Sequence, residues 1–226
     1  MDDIKVFLLP IAGALLSAAT IGMFSFADSS DQNQTEPERE DKFGGHKNLR
    51  IFYWVFLTLC NVGMGISLAL HQVAWPPALK ALCIVSILWP CAWSDFQTMR
   101  IPNKCLLVGL GYRAILFIFE LVTVQPGLLA VLASEAIAAL ALLLSSFLCR
   151  IIIRNSVGGG DIKLMALMGL FLGLNGIWNA VLMSFLIIFV VAVGLLVFKK
   201  KKKNDAIPFA PALLAGTVLT VLFAAI

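Results

Sequence analysis

Four carboxylates, Asp95, Glu120, Glu135 and Asp161, stand within or at the ends of long apolar runs, whereas the other nine of the thirteen acidic residues fall in polar stretches or near the chain ends. An ionisable group in such a run is costly and marks a functional site by default. Asp95 and Asp161 lie 66 residues apart, yet one ends an apolar run and the other opens one, so a compact bundle can bring them together. Two carboxylates held close share one proton. The ionised partner can then take a proton from water while the other donates to a scissile carbonyl. Such a dyad titrates as a unit and needs neither a covalent intermediate nor a metal. The chain offers no Ser-His or Cys-His pairing. Its two histidines, His46 and His71, are isolated, and its five cysteines form no CxxC pair, so neither zinc nor a disulfide framework is expected.

The other two carboxylates read as structural. At about 1.5 Å of rise per residue, Arg113 and Glu135 reach similar depth in neighbouring antiparallel helices, so a buried ion pair is expected between them. Glu120, near the end of its run, is expected to reach the interface.

The elements that must position these groups are membrane helices. Of 226 residues, 60% are hydrophobic and 13% charged, and the mean hydropathy is +0.94. Those values exclude a water-soluble globule and a disordered chain. Unbroken apolar runs predict eight spans: Ile4–Ala27, Ile51–Leu70, Ala78–Ser94, Lys104–Val122, Gly127–Cys149, Ile162–Leu174, Ile177–Phe198 and Ala206–Ile226. The runs lack the alternation of barrel strands, so the fold class is all-α, a polytopic transmembrane bundle forming a single membrane domain over residues 1–226. The first run follows an acidic Met1-Asp2-Asp3 and is too long for a signal-peptide core, so it is read as a retained helix.

With both termini outside, the loops beginning at Asp28, Asp95, Arg150 and Lys199 hold 14 of the 17 basic residues. The positive-inside rule assigns those loops to the cytoplasm, and the Lys199–Lys203 run is a topology signal, not a nucleic-acid patch. Residues 28–50 form a polar cytoplasmic loop with little to bury, read chiefly as a solvated connector.

Two motifs flank the candidate acids. After Asp95 comes Ile101-Pro102-Asn103: Pro102 fixes its own φ and drives Ile101 out of the α region, and Asn103 can cap the helix that follows. Gly158-Gly159-Gly160 precede Asp161, and without Cβ atoms they let another backbone approach closely. A turn and a hinge would explain each motif alone. Their recurrence beside an acid at one membrane face is harder to explain as connectors.

These residues resemble the two signatures of the type IV prepilin leader peptidases, membrane aspartic proteases of the GxGD type: Asp95 with Ile101-Pro102-Asn103, and Gly158-Gly159-Gly160-Asp161-Ile162-Lys163-Leu164. Ile207-Pro208-Phe209-Ala210-Pro211-Ala212-Leu213 is similar to the proline-rich segment opening that family's last helix. The resemblance covers residues 95–226. It implies that Asp95 and Asp161 form the catalytic dyad and that no cofactor or metal takes part. The substrate would be a type IV prepilin or pseudopilin precursor, cut at its short basic leader just before its hydrophobic helix. Gly158, Gly159, Gly160, Lys163, Pro208 and Pro211 would contact it, although Lys163 equally suits snorkelling to the interface. The enzyme would sit in the cytoplasmic membrane of a bacterium or archaeon, with the lipid bilayer as its other partner and no role for nucleic acid.

Departures from the family pattern matter. The segment after the first helix holds no CxxC pairs, which puts N-methyltransferase activity and zinc binding in doubt. Arg154-Asn155-Ser156-Val157 lacks an acid often present there, and Ala210 replaces a usual glycine. Presenilin-like and signal-peptide-peptidase-like intramembrane proteases share the GxGD and a Pro-Ala-Leu, here Pro211-Ala212-Leu213, but not the Ile-Pro-Asn. An ion or solute transporter using the four acids would be expected to have related halves, and no convincing internal repeat is visible.

Overall fold

The computed structural model describes residues 2–31, 47–124, 126–152, 158–197 and 207–224, and among these every regular element is an α-helix. In chain order these are α1 (Asp2–Asp31), α2 (Lys47–Leu70), α3 (Trp75–Thr98), α4 (Asn103–Thr123), α5 (Leu128–Ile152), α6 (Gly159–Val197) and α7 (Ala210–Ala224). Six are long and apolar enough to cross a membrane, and α7 is shorter. The chain is a multi-pass helical membrane protein. Of the expected loop 28–50, residues 28–31 extend α1 and residues 47–50 open α2. Residues 32–46, like the lysine run, lie outside the described residues.

The sixth and seventh expected spans are one element, α6, broken at Gly173 by φ +61° and ψ −174°. That backbone region is open almost exclusively to glycine. The chain doubles back there. A straight helix would hold Asp161 and Ile188 about 40 Å apart at its usual rise, but both line one cavity. Among the described residues, seven helices by name are therefore eight by direction. The first arm, residues 159–172, is about 21 Å long at the same rise, short of the ~30 Å hydrocarbon thickness.

Around α3 the other helices assemble: it touches α1, α2, α4, α6 and α7. Its sequence is apolar on every face, as a helix buried all round must be, and residues 80–92 are all buried. Trp75-Pro76-Pro77 start it. The prolines occupy positions whose N–H groups would be unpaired anyway, and Ala74 before them is extended (φ −62°, ψ 151°). It stops where Met99 turns left-handed (φ 54°, ψ 33°) and donates its N–H to Asp95 O at 2.9 Å.

Close helix approach in lipid relies on small residues, because lipid tails compete with larger side chains for packing. A Cβ on Gly169 would sit 2.6 Å from Ala139 Cα, and one on Gly216 would overlap Ser184 Oγ. These contacts press α6 against α5 and α7.

At the end of the bundle away from Asp95, four buried charges form a closed quartet. Arg113 pairs with Glu135, as expected from depth, and its Nη1 lies 2.9 Å from Glu120 Oε2. Lys80 pairs with both Glu120 and Glu135. Glu120 is only 1% exposed, so the expectation that it reaches the interface is wrong. Two cations within the bundle hold its carboxylate inside, and two positive and two negative charges leave no net charge to desolvate alone.

Candidate active site

Asp95 sits one turn before the end of α3 and is buried, 5% exposed. Its Oδ2 accepts the backbone N–H of Ala210, the first residue of α7, at 2.9 Å. The first N–H groups of a helix have no partner within it, so Asp95 caps α7 from a distant helix. The proline-rich segment prepares that contact. Pro208 keeps the preceding backbone extended, and Pro211 in the first turn gives up an N–H that had no intrahelical partner.

Asp161 lies in the first turn of α6. Gly158 donates a backbone hydrogen bond to its carboxylate, and Asp161 lies within electrostatic reach of Asp95. Its Oδ1 is buried with no hydrogen-bond partner. The carboxylate lines a cavity of about 700 Å³ between α5, both arms of α6 and the segment before α7. The walls are otherwise mainly apolar, with Leu142, Met165, Trp178, Val181, Phe185 and Phe209 among them. Phe185 and Phe209 meet ring to ring, centroids 5.8 Å apart.

The two motifs touch. A Cβ on Gly160 would lie 3.0 Å from Ile101 Cβ, so the glycine lets the start of α6 settle against the Ile-Pro-Asn turn. Lys163 Nζ donates to Asn103 Oδ1 at 3.1 Å. Ser94 Oγ donates to Arg100 O at 2.9 Å, steadying the same turn. Cys91, one turn before Asp95, lies close to Cys105 at the start of α4.

The candidate residues named from sequence thus converge on one end of the bundle, in differing ways. Gly158 and Gly159 are exposed, and Gly159 lies beside the Arg150 guanidinium. Lys163 is exposed and engages Asn103, while Pro208 and Pro211 are half-buried in the segment that carries Phe209 and Ala210. Sequence reasoning passed over the Ala210 N–H, a backbone group with no signal in residue type. It also passed over Lys80. Lys80 stands five residues into an apolar helix, close enough to its start for a long side chain to reach water, so its position alone gave no sign of a buried partner.

The model of the type IV leader peptidase family matches residues 82–197, from α3 through the second arm of α6. The chain belongs to that family. A prepilin leader peptidase/N-methyltransferase of Bacillus subtilis (strain 168) is 32% identical to it over 164 residues, which cover 72% of this chain and 60% of that protein. The chain therefore spans less than two thirds of the length of this relative. No solved structure matches the chain. Within the family match fall both candidate acids, the Ile-Pro-Asn turn and the three glycines, while the Pro208–Pro211 segment lies beyond it.

Proposed function

We propose that the chain is an aspartic endopeptidase of a prokaryotic cytoplasmic membrane that removes the short basic leader from type IV prepilin or pseudopilin precursors. The observation that carries this reading is that Asp95 and Asp161 stand within electrostatic reach of each other at one end of the bundle, where Asp161 has an unpartnered buried oxygen and lines an apolar cavity. A leader substrate has a polar segment joined to an apolar helix, and this end of the bundle offers a counterpart for each. The exposed Gly158 and Gly159 lead into Asp161, which lines the cavity, and the apolar walls continue along the second arm of α6.

In the reaction, the pair holds one proton between its two carboxyl groups. The ionised group takes a proton from a water molecule as that water attacks the scissile carbonyl, and the protonated group donates to the carbonyl oxygen. The resulting gem-diol collapses as the leaving amine is protonated, and the dyad regains its single proton. The Ala210 N–H fixes one Asp95 oxygen, so the carboxylate keeps one orientation throughout.

The transporter alternative loses support from the quartet, because Glu120 and Glu135 are each neutralised by buried cations at the end of the bundle away from the two aspartates. The segment between α1 and α2 holds no cysteine, which supports peptidase activity without the methylation named for the Bacillus relative.

The deciding experiment is cleavage of a prepilin precursor by the wild type and by Asp95→Asn and Asp161→Asn, with the cut site mapped. Loss of cleavage in both variants and a cut ahead of the apolar helix support the proposal. Full activity in either variant refutes the dyad, and a cut inside the apolar helix favours an intramembrane protease.

A further inference from the structure

The break in α6 is satisfied by side chains from two other helices. In an unbroken helix the Leu174 N–H would donate to Leu170 O. The ψ of Gly173 turns that N–H away, and it donates instead to Ser134 Oγ on α5 at 3.0 Å. Leu170 O in turn accepts Arg113 Nε from α4 at 3.0 Å. A buried backbone group left without a partner is costly, so these two bonds remove the main penalty for breaking the helix there. Arg113 is itself held by Glu120 and Glu135, and Glu135 follows Ser134 in sequence. The arrangement is a bracket: two helices grip the two halves of one severed hydrogen bond.

The bracket stands at the far end of the first arm from Asp161, where it sets the angle at which the second arm returns. That second arm supplies Trp178, Val181 and Phe185 to the cavity beside Asp161. The first arm is anchored independently, through Gly160 against Ile101 and through Leu167, which fills the space over Gly109. Loosening the bracket therefore moves the cavity wall and leaves the carboxylates in place. We infer that Arg113 and Ser134 are positioning residues that set the width of the apolar cavity, and with it the fit of the substrate's hydrophobic helix. This inference rests on the proposed peptidase reading for its substrate, but its geometric part does not.

Ser134→Ala removes one acceptor and leaves the ion quartet intact. Arg113→Lys keeps the charge but removes the donor that reaches Leu170 O. Ser134→Thr keeps the hydroxyl. Each is made in the full chain in lipid vesicles. Spin labels at lipid-facing Leu144 on α5 and Leu186 on the second arm, in a cysteine-free background, read the separation of the cavity walls. Steady-state cleavage of a prepilin precursor with its apolar helix gives KM and kcat. Expected for Ser134→Ala and Arg113→Lys are a broader or longer distance distribution and a KM raised about five- to tenfold, with kcat within about twofold of wild type. Ser134→Thr should restore both. A wild-type distance distribution in Ser134→Ala, or a fall in kcat with unchanged KM, overturns the inference. If the wild type cuts no precursor, the peptidase reading fails and the distance measurement alone still judges the bracket.

Discussion

Asp95 Oδ2 accepts the N–H of Ala210 across 115 residues of sequence, so a candidate catalytic carboxylate is also the N-cap of the last helix. The two roles separate by substitution. Asparagine retains an oxygen that can accept the Ala210 N–H but cannot take a proton from water, whereas alanine removes both. Asp95→Asn should lose cleavage and keep most of its stability. Asp95→Ala should lose cleavage and, in addition, about 1–3 kcal/mol of stability from the stranded N–H. Thermal unfolding in detergent beside a precursor-cleavage assay checks both.

The buried quartet gives a sharper test of stability. Removing one member strands a buried charge of the opposite sign, which costs about 3–5 kcal/mol where it has been measured in protein interiors. Lys80→Met alone, or Glu120→Gln alone, should therefore lower the unfolding temperature strongly. The double variant removes one positive and one negative charge and leaves Arg113 paired with Glu135, so it should regain a good part of the loss. If the two single losses simply added, the ionic coupling assigned to Lys80 and Glu120 would be wrong.

The two aspartates could be read from sequence because an acid inside an apolar run has few bland explanations, and because each stands beside residues that shape backbone. Arg113 and Glu135 were legible as a pair from depth alone. Glu120 and Lys80 were not, since each stands near the end of its run, where a charged group can escape to water, and only the packing of α3 against its neighbours closes that exit. The break in α6 had a similar history. The expected spans ended at Leu174 and resumed at Ile177, whereas the backbone breaks at Gly173, where Ser134 and Arg113 are in reach of the freed groups. Turn preference is local, but the partners that make a break tolerable in lipid come from other helices.

Gly160 tests how closely the two motifs must meet. A methyl at this position would lie 3.0 Å from Ile101 Cβ, so the start of α6 would have to retreat by a few tenths of an ångström. Asp161 is the next residue and would move with it. Gly160→Ala should lower kcat/KM for a precursor by roughly tenfold, since small misplacements of reacting groups carry large rate penalties. The unfolding temperature should change little because no buried polar group is stranded. Equal loss of stability and activity would mean that the glycine serves packing alone.

Filling the cavity separates recognition from chemistry. Val181 lies on the second arm of α6, lines the space shared with Asp161 and is not itself a charged or polar group. Val181→Trp adds an indole to that space without touching the Asp95–Ala210 contact or the Ile101–Gly160 contact. If the cavity receives the apolar helix of the substrate, the variant should bind a precursor at least tenfold more weakly, seen as a raised KM or as loss of co-purification with an uncleaved precursor. The same protein should unfold at or above the wild-type temperature, because filling a void adds packing contacts. Wild-type affinity in a well-folded Val181→Trp would place the substrate helix elsewhere on the bundle and leave the cavity without a part in recognition.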